Sequence, residues 1–180
     1  MYLHGGKIGL ATFPLSARPS LSYHETPRSF GSLRDGGKRK HAACDLYAPA
    51  GSPVLACLDG VVIRGPYLFY NEVYALEIQH ADGTVIRYGE IQPRIPLAAK
   101  GTHVHEGDII AYVGLQSSLT VAMLHFEMYA GKWPKASVGK IGIPRTGPLT
   151  DLSRPPFMRR IDLIDPTAFL DSCTLQGPAT

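Results

Sequence analysis

The 180-residue chain has little cysteine, little charge and no long apolar run, and each shortage narrows what it can be. Its three cysteines, Cys44, Cys57 and Cys173, show no CxxC spacing, and an odd count gives no disulfide framework. Cys44 and Cys57 lie in apolar, strand-like runs and read as small core residues. Charged residues make up 18% of the chain, below the usual quarter, against 44% hydrophobic, so most of the length is expected to fold rather than stay disordered. The net charge of +3 is compatible with an acidic polymer but too weak for a nucleic-acid binder. No Lys/Arg stripe with interleaved aromatics is present, and the only basic cluster, GGKRKH, reads as a solvated turn. No segment approaches the run of about 18 apolar residues that spans a membrane. The start, MYLHGGKIGLATFPL, lacks a basic n-region and a long h-region, so no ordinary cleaved export signal is expected.

What the chain has in quantity is glycine (19) and proline (15), which favour many turns and short strands over long helices. Residues 1–27, with Pro14, Pro19 and Pro27, read as an irregular arm. Residues 28–171 read as one domain and 172–180 as a tail. Within the domain, SPVLACLDGVVIRG predicts two strands about the Asp59-Gly60 turn. YLFYNEVYALEIQHADGTVIRYGEI predicts three, with turns at Asn71-Glu72 and Asp82-Gly83. Further strands are expected at Ile109–Val113 and in VAMLHFEMYAG. The Pro-rich stretch 131–160 reads as a long loop, and one short helix is expected after Asp165-Pro166, with Asp165 as cap. Turns every 8–12 residues predict an all-β fold, an antiparallel sheet in an open barrel or sandwich.

Seven histidines need sorting. His4 and His24 lie in the arm and are expected to be exposed, and His80 reads as a turn residue. His103-Val104-His105 has the spacing of a strand metal pair, but an inward Val104 turns both imidazoles outward. His41 and Asp45 share a face of an extended chain with only the small Ala43 between, and so offer one imidazole and one carboxylate of the three ligands a catalytic zinc usually has. His125 and Glu127 share a face of TVAMLHFEMY with Met123, which neither moves protons nor readily binds a hard metal.

The order HAACDLYAPAGSPVLACLDGVVI, then GTHVHEGDIIAYVG, then LHFEMY resembles the LytM/lysostaphin family of zinc metallopeptidases, which cut peptide crosslinks or stems of bacterial peptidoglycan. The resemblance covers roughly residues 28–130, and DLIDPTAFL is similar to the family's closing segment. It implies a zinc ion held by His41, Asp45 and His125. It also puts Met123 and Glu90 where the family carries two catalytic histidines, and Ala43 where it commonly has glycine. His103 and His105 fall at variable positions.

Three readings follow. In the first, Glu90 replaces histidine as general base, and Tyr88, two residues earlier on the same strand face, donates to the oxyanion. In the second, the domain holds zinc and binds cell wall, or regulates another hydrolase, without cutting. In the third, Glu90 is itself a ligand and closes a structural site. Glu127 either orients a metal-bound histidine or forms a salt bridge at the sheet edge. The first reading is the expectation. It implies a peptidoglycan peptide as partner and action in the cell envelope or periplasm. With no export signal in sight it points to a specialised route such as type VI secretion, with a cognate immunity protein as a further partner.

Overall fold

The run Met123–Tyr129 alternates between two faces, and the sheet is built around it. The computed structural model describes residues 2–4, 7–9, 11–94, 99–117, 119–131 and 147–176. In chain order the strands are β1 (Tyr2–His4), β2 (Lys7–Gly9), β3 (Leu33–Arg34), β4 (Arg39–Lys40), β5 (Cys44–Tyr47), β6 (Pro53–Leu55) and β7 (Gly60–Tyr70). They continue with β8 (Val73–His80), β9 (Val85–Ile91), β10 (His103–Val104), β11 (Ile109–Tyr112), β12 (Met123–Tyr129) and β13 (Leu163–Ile164), and one helix, α1 (Thr167–Ser172), follows.

The main sheet runs β10-β7-β8-β9-β12-β13, with β5 also paired to β12. Strand β9 lies along one edge of β12; β5 (opposite 123–126) and β13 (opposite 128–129) share the other. Every pairing between these strands is antiparallel and the sheet does not close into a barrel, in line with the all-β expectation. No helix among the described residues is long and apolar enough to cross a membrane.

Successive side chains of a strand point to opposite faces, so β12 divides its residues between two environments. Leu124, Phe126 and Met128 enter the core with Leu46 of β5, Ile86 and Tyr88 of β9, Leu76 and Ile78 of β8 and Val62 of β7. The β6–β11 pair adds Val54, Ile110 and Ala111 to the same cluster. The other face carries Met123, His125, Glu127 and Tyr129. A two-sided sheet with apolar residues on one side and polar residues on the other sets apart a surface for chemistry.

Several expectations meet their detail here. All three cysteines are buried. His103 and His105 are exposed on either side of a buried Val104. The Asp165 carboxylate accepts from the Thr167 amide (2.9 Å) and hydroxyl (2.6 Å) ahead of α1. His80, in contrast, is not an exposed turn residue. It is 3% exposed, and its Nδ1 lies 3.1 Å from the Leu58 carbonyl, pinning the end of β8 to the turn before β7. The first 27 residues are not wholly irregular either: β1 and β2 pair as a hairpin, and Ala11, Phe13, Leu15 and Tyr23 join the main core. The Thr12 amide donates to the Cys57 carbonyl (3.0 Å), and Thr12 bridges to Thr174, so both ends of the chain are tied to the domain. The alternation Ala11, Phe13, Leu15 is too short, and too close to Pro14, to stand out as a strand.

Phe126 is fully buried at the centre of the sheet. Phe126→Ala is expected to cost about 3–5 kcal/mol of folding free energy, read from urea unfolding midpoints. A loss below about 1 kcal/mol would mean that the core is not closed around β12.

Candidate metal centre and active site

Register brings the site together. In the β5–β12 ladder Asp45 stands directly opposite His125. His41 lies four residues before Asp45, where the chain enters β5, and Ala43 between them is buried and adds only a methyl group. The Asp45 Oδ1 atom is 3.1 Å from His41 Nε2 and 3.0 Å from His125 Nδ1, and those two nitrogens are 3.5 Å apart. Ligand atoms of all three residues lie within 4.8 Å of one another, and all three side chains are buried.

The far nitrogens fix the tautomers. His41 Nδ1 donates to the Ser29 carbonyl (3.0 Å), and His125 Nε2 donates to Glu127 Oε1 (3.0 Å). Once deprotonated, each ring would offer a lone pair from the nitrogen that faces Asp45. Two imidazoles and one carboxylate, with their outer nitrogens held, are the donor set of a catalytic zinc site with an open position. The residues present fit that ion. Burial disfavours the His125 imidazolium, but its hydrogen bonds to Asp45 and Glu127 win and raise its pKa to about 9. Burial works against the Asp45 carboxylate too, yet the hydrogen bonds from His125 and His41 hold its pKa well below the ordinary value.

Glu127 is not at a sheet edge; it is fully buried. It both orients His125 and forms ion pairs, with Arg87 Nη1 (2.9 Å) and Arg159 Nε (2.8 Å), and it accepts from the Tyr129 hydroxyl. Arg87 stands opposite Glu127 on one side and opposite Glu77 of β8 on the other, and reaches the Glu77 carboxylate at 3.5 Å. Tyr67 of β7 donates to the same carboxylate (2.5 Å). Burial alone would raise the pKa of Glu127, but Arg87 and Arg159 push it well down. Sequence reasoning did not single out Arg87, Glu77 or Arg159. The available signal was a charged residue inside each of three apolar strands, Glu77, Arg87 and Glu127.

Glu90 reaches the groove by a break in the alternation. In β9, Gly89 pairs with His125 and Tyr88 with Phe126, so regular pleating would send Glu90 into the core with Tyr88. Instead Glu90 adopts φ +58°, a left-handed conformation costly for a residue with a side chain, and its carboxylate lines the same groove as His125. The expectation that Tyr88 shares its face is therefore corrected. Tyr88 is fully buried, meets Phe126 edge to face at 5.7 Å, and its hydroxyl accepts from the Cys57 amide (3.1 Å). It offers nothing to a substrate. Met123 does line the groove, two residues from His125.

The groove has a volume of about 910 Å³. One wall is the β3–β4 hairpin with Arg34, Arg39 and Lys40, and another is the end of β7 with Tyr67, Phe69 and Tyr70. Of the 131–160 loop, residues 132–146 lie outside the described residues. Its later part supplies Thr150, Leu152 and Phe157 to the groove.

This arrangement agrees with comparison to known proteins. Residues 39–136 match the model of Peptidase family M23. The chain belongs to that family. Peptidoglycan DD-endopeptidase ShyC of Vibrio cholerae is 30% identical over 114 residues, which are 61% of this chain and 26% of that protein. DD-carboxypeptidase/endopeptidase Mpg of Neisseria meningitidis is 32% identical over 90 residues, 49% of this chain and 20% of that one. The M23 chain described here thus spans about a quarter, or less, of the length of these curated relatives. The catalytic domain of lysostaphin from Staphylococcus simulans shares the fold, with a TM-score of 0.54 at 20% identity over 79% of this chain and 89% of that one. LytU gives a TM-score of 0.52 at 26% identity, covering 79% of this chain and 81% of that one.

Arg87 is fully buried between two carboxylates. Arg87→Met leaves both without their main counter-charge and is expected to destabilise the fold by about 3–5 kcal/mol in urea titrations. A near-neutral result would show that the carboxylates reach water or protonate cheaply.

Proposed function

We propose that this domain hydrolyses peptide bonds in bacterial peptidoglycan, with a zinc ion held by His41, Asp45 and His125 and with Glu90 as general base. The observation that carries the reading is the convergence of His41 Nε2, Asp45 Oδ1 and His125 Nδ1 beside a groove that Glu90 also lines. Membership of Peptidase family M23, and relatives named as peptidoglycan endopeptidases, support the same reaction class and point to action in the cell envelope. Zinc bound there supplies a Lewis acid and a water of lowered pKa.

The chain's own residues do the rest. Glu127 holds His125 in the tautomer that presents Nδ1, and the Ser29 carbonyl does the same for His41 Nε2. Glu90 takes the proton of the attacking water and returns it to the leaving amine. Burial raises the pKa of its carboxyl above the ordinary glutamate value; His125 opposes this, Asp45 adds to it, and Gln116 and Arg34 oppose it. A base must be ionised to act, so activity is lost as pH falls through that raised value. Met123 shapes the pocket wall and takes no proton. Three protein ligands without Glu90 would leave a fourth position for the water that hydrolysis needs, which favours the catalytic over the structural reading.

Purified protein reconstituted with zinc is expected to hold about one ion per chain and to release peptide fragments from sacculi. Glu90→Ala should keep the zinc and lose about 10²–10⁴ in rate. Equal release by wild type and Glu90→Ala would overturn the base assignment, and wild type that binds sacculi but releases nothing would make the domain a binding module. His103→Ala should leave zinc content unchanged.

Zinc and the proton compete for His125. Because the metal-free pKa of this group is raised to about 9, the proton is held below that value. Zinc affinity should therefore climb about tenfold per pH unit from neutrality toward 9, and calorimetry in two buffers should show a proton released on binding. An affinity flat over that range would contradict the ligand assignment.

A further inference from the structure

The proposed hydrolysis leaves one task unassigned. As water adds to the scissile carbonyl, its proton passes to Glu90 and the C=O electron pair moves onto the oxygen. That oxygen needs a donor until the C–N bond breaks and the amine takes the proton. Met123 has none to give, and Tyr88 is turned into the core.

One cation lies against the metal ligands themselves. Arg34 ends β3 with extended backbone (φ −128°, ψ 154°), and its side chain lines the groove with His125 and Glu90. Its Nη2 donates to the Pro27 carbonyl (2.6 Å) and to Asp45 Oδ2 (3.3 Å). Oδ2 is the outer oxygen of Asp45, since Oδ1 faces the two imidazoles. Its charge also reaches Glu90, whose carboxyl it helps to ionise. The Nε and Nη1 donors make no hydrogen bond among the described residues, and the side chain is 24% exposed. Both contacts thus use Nη2 alone, which anchors the guanidinium and leaves the Nε and Nη1 donors available. Of the other groove arginines, none contacts a metal ligand directly. Arg39 pairs with Asp35 (2.5 Å), Arg159 with the buried Glu127, and Arg64 lies over the Tyr67 ring.

We propose that Arg34 is a catalytic residue of this site, its guanidinium donating to the oxyanion that forms at the scissile carbonyl. The inference rests on the hydrolase reading above. A planar guanidinium suits the task better than a lysine, because Nη2 can be anchored to Pro27 and Asp45 while Nη1 or Nε donates to substrate. The competing role is structural, in which Arg34 only steadies Asp45, and the two roles separate on metal affinity.

The experiment uses the full chain with Arg34→Met and Arg34→Lys. Zinc affinity is measured by chelator competition, kinetics on a defined crosslinked muropeptide, and binding of a phosphinate isostere of that peptide by calorimetry. Both variants are expected to lose about 10²–10³ in kcat, with KM little changed. Phosphinate binding should weaken by a similar factor, while zinc affinity stays within about threefold of wild type. Methylguanidinium should restore part of the rate to Arg34→Gly. Zinc affinity falling in step with kcat, with full activity regained at excess zinc, would show that Arg34 only positions Asp45. Unchanged kcat and phosphinate binding in an active background would remove Arg34 from the reaction and leave the hydrolase reading intact. Wild type inactive on both muropeptide and sacculi would overturn that reading, and the role of Arg34 with it.

Discussion

The pairing of β5 with β12 is the constraint on which the site depends. It sets Asp45 opposite His125 and, one step away on each side, Leu46 opposite Leu124 and Cys44 opposite Phe126. The last two pairs are buried in the core. Because strand side chains alternate with a period of two, a slip of one residue would turn Leu124 and Phe126 outward and His125 inward. The apolar face therefore holds the register that the polar face uses. Core packing and ligand geometry are two consequences of one alignment, and neither can be disturbed alone.

Behind the ligands lies a second constraint, a set of charges sealed from water. Glu127 serves His125, Arg87, Arg159 and the Tyr129 hydroxyl at once. Such a cluster is not a cheap source of stability, because each ion gives up its hydration. Its geometry matters more. A carboxylate held from three directions leaves the His125 ring little freedom to rotate, so Nδ1 stays aimed at Asp45. Among the described residues the one buried side-chain polar atom without a partner, Arg87 Nε, belongs to the same cluster, as though the guanidinium were placed for its two carboxylates and not for complete satisfaction.

Much of this was legible in the sequence. The strand pattern, the turns at Asn71 and Asp82-Gly83, and the grouping of His41, Asp45 and His125 could be read from alternation and motif order. Tyr88 was misread because the i, i+2 rule assumes an unbroken strand, and the left-handed backbone at Glu90 breaks it. No glycine marks that position, so the sequence carries no local sign of the turn. Arg87 and Glu77 escaped notice because their meaning lies in cross-strand register, which one strand's text does not contain. Arg34 escaped because GGKRKH beside it reads as a solvated turn. Only the return of the β3–β4 hairpin toward Asp45 gives the arginine a partner.

Glu90 and Arg34 make sense together. The family resemblance implies two histidines where this chain has the thioether of Met123 and the carboxylate of Glu90. An added anion beside Asp45 in a partly buried groove raises its own pKa, and burial and Asp45 act on Glu90 in that direction. Arg34 acts the other way on the same carboxyl, and its positive charge offsets the one that Glu90 adds. The formal charge of the groove near the ligands is then what two neutral imidazoles would leave. On the proposed reading one arginine therefore serves twice: its charge offsets that of Glu90, and its remaining donors face the groove in which the oxyanion would form.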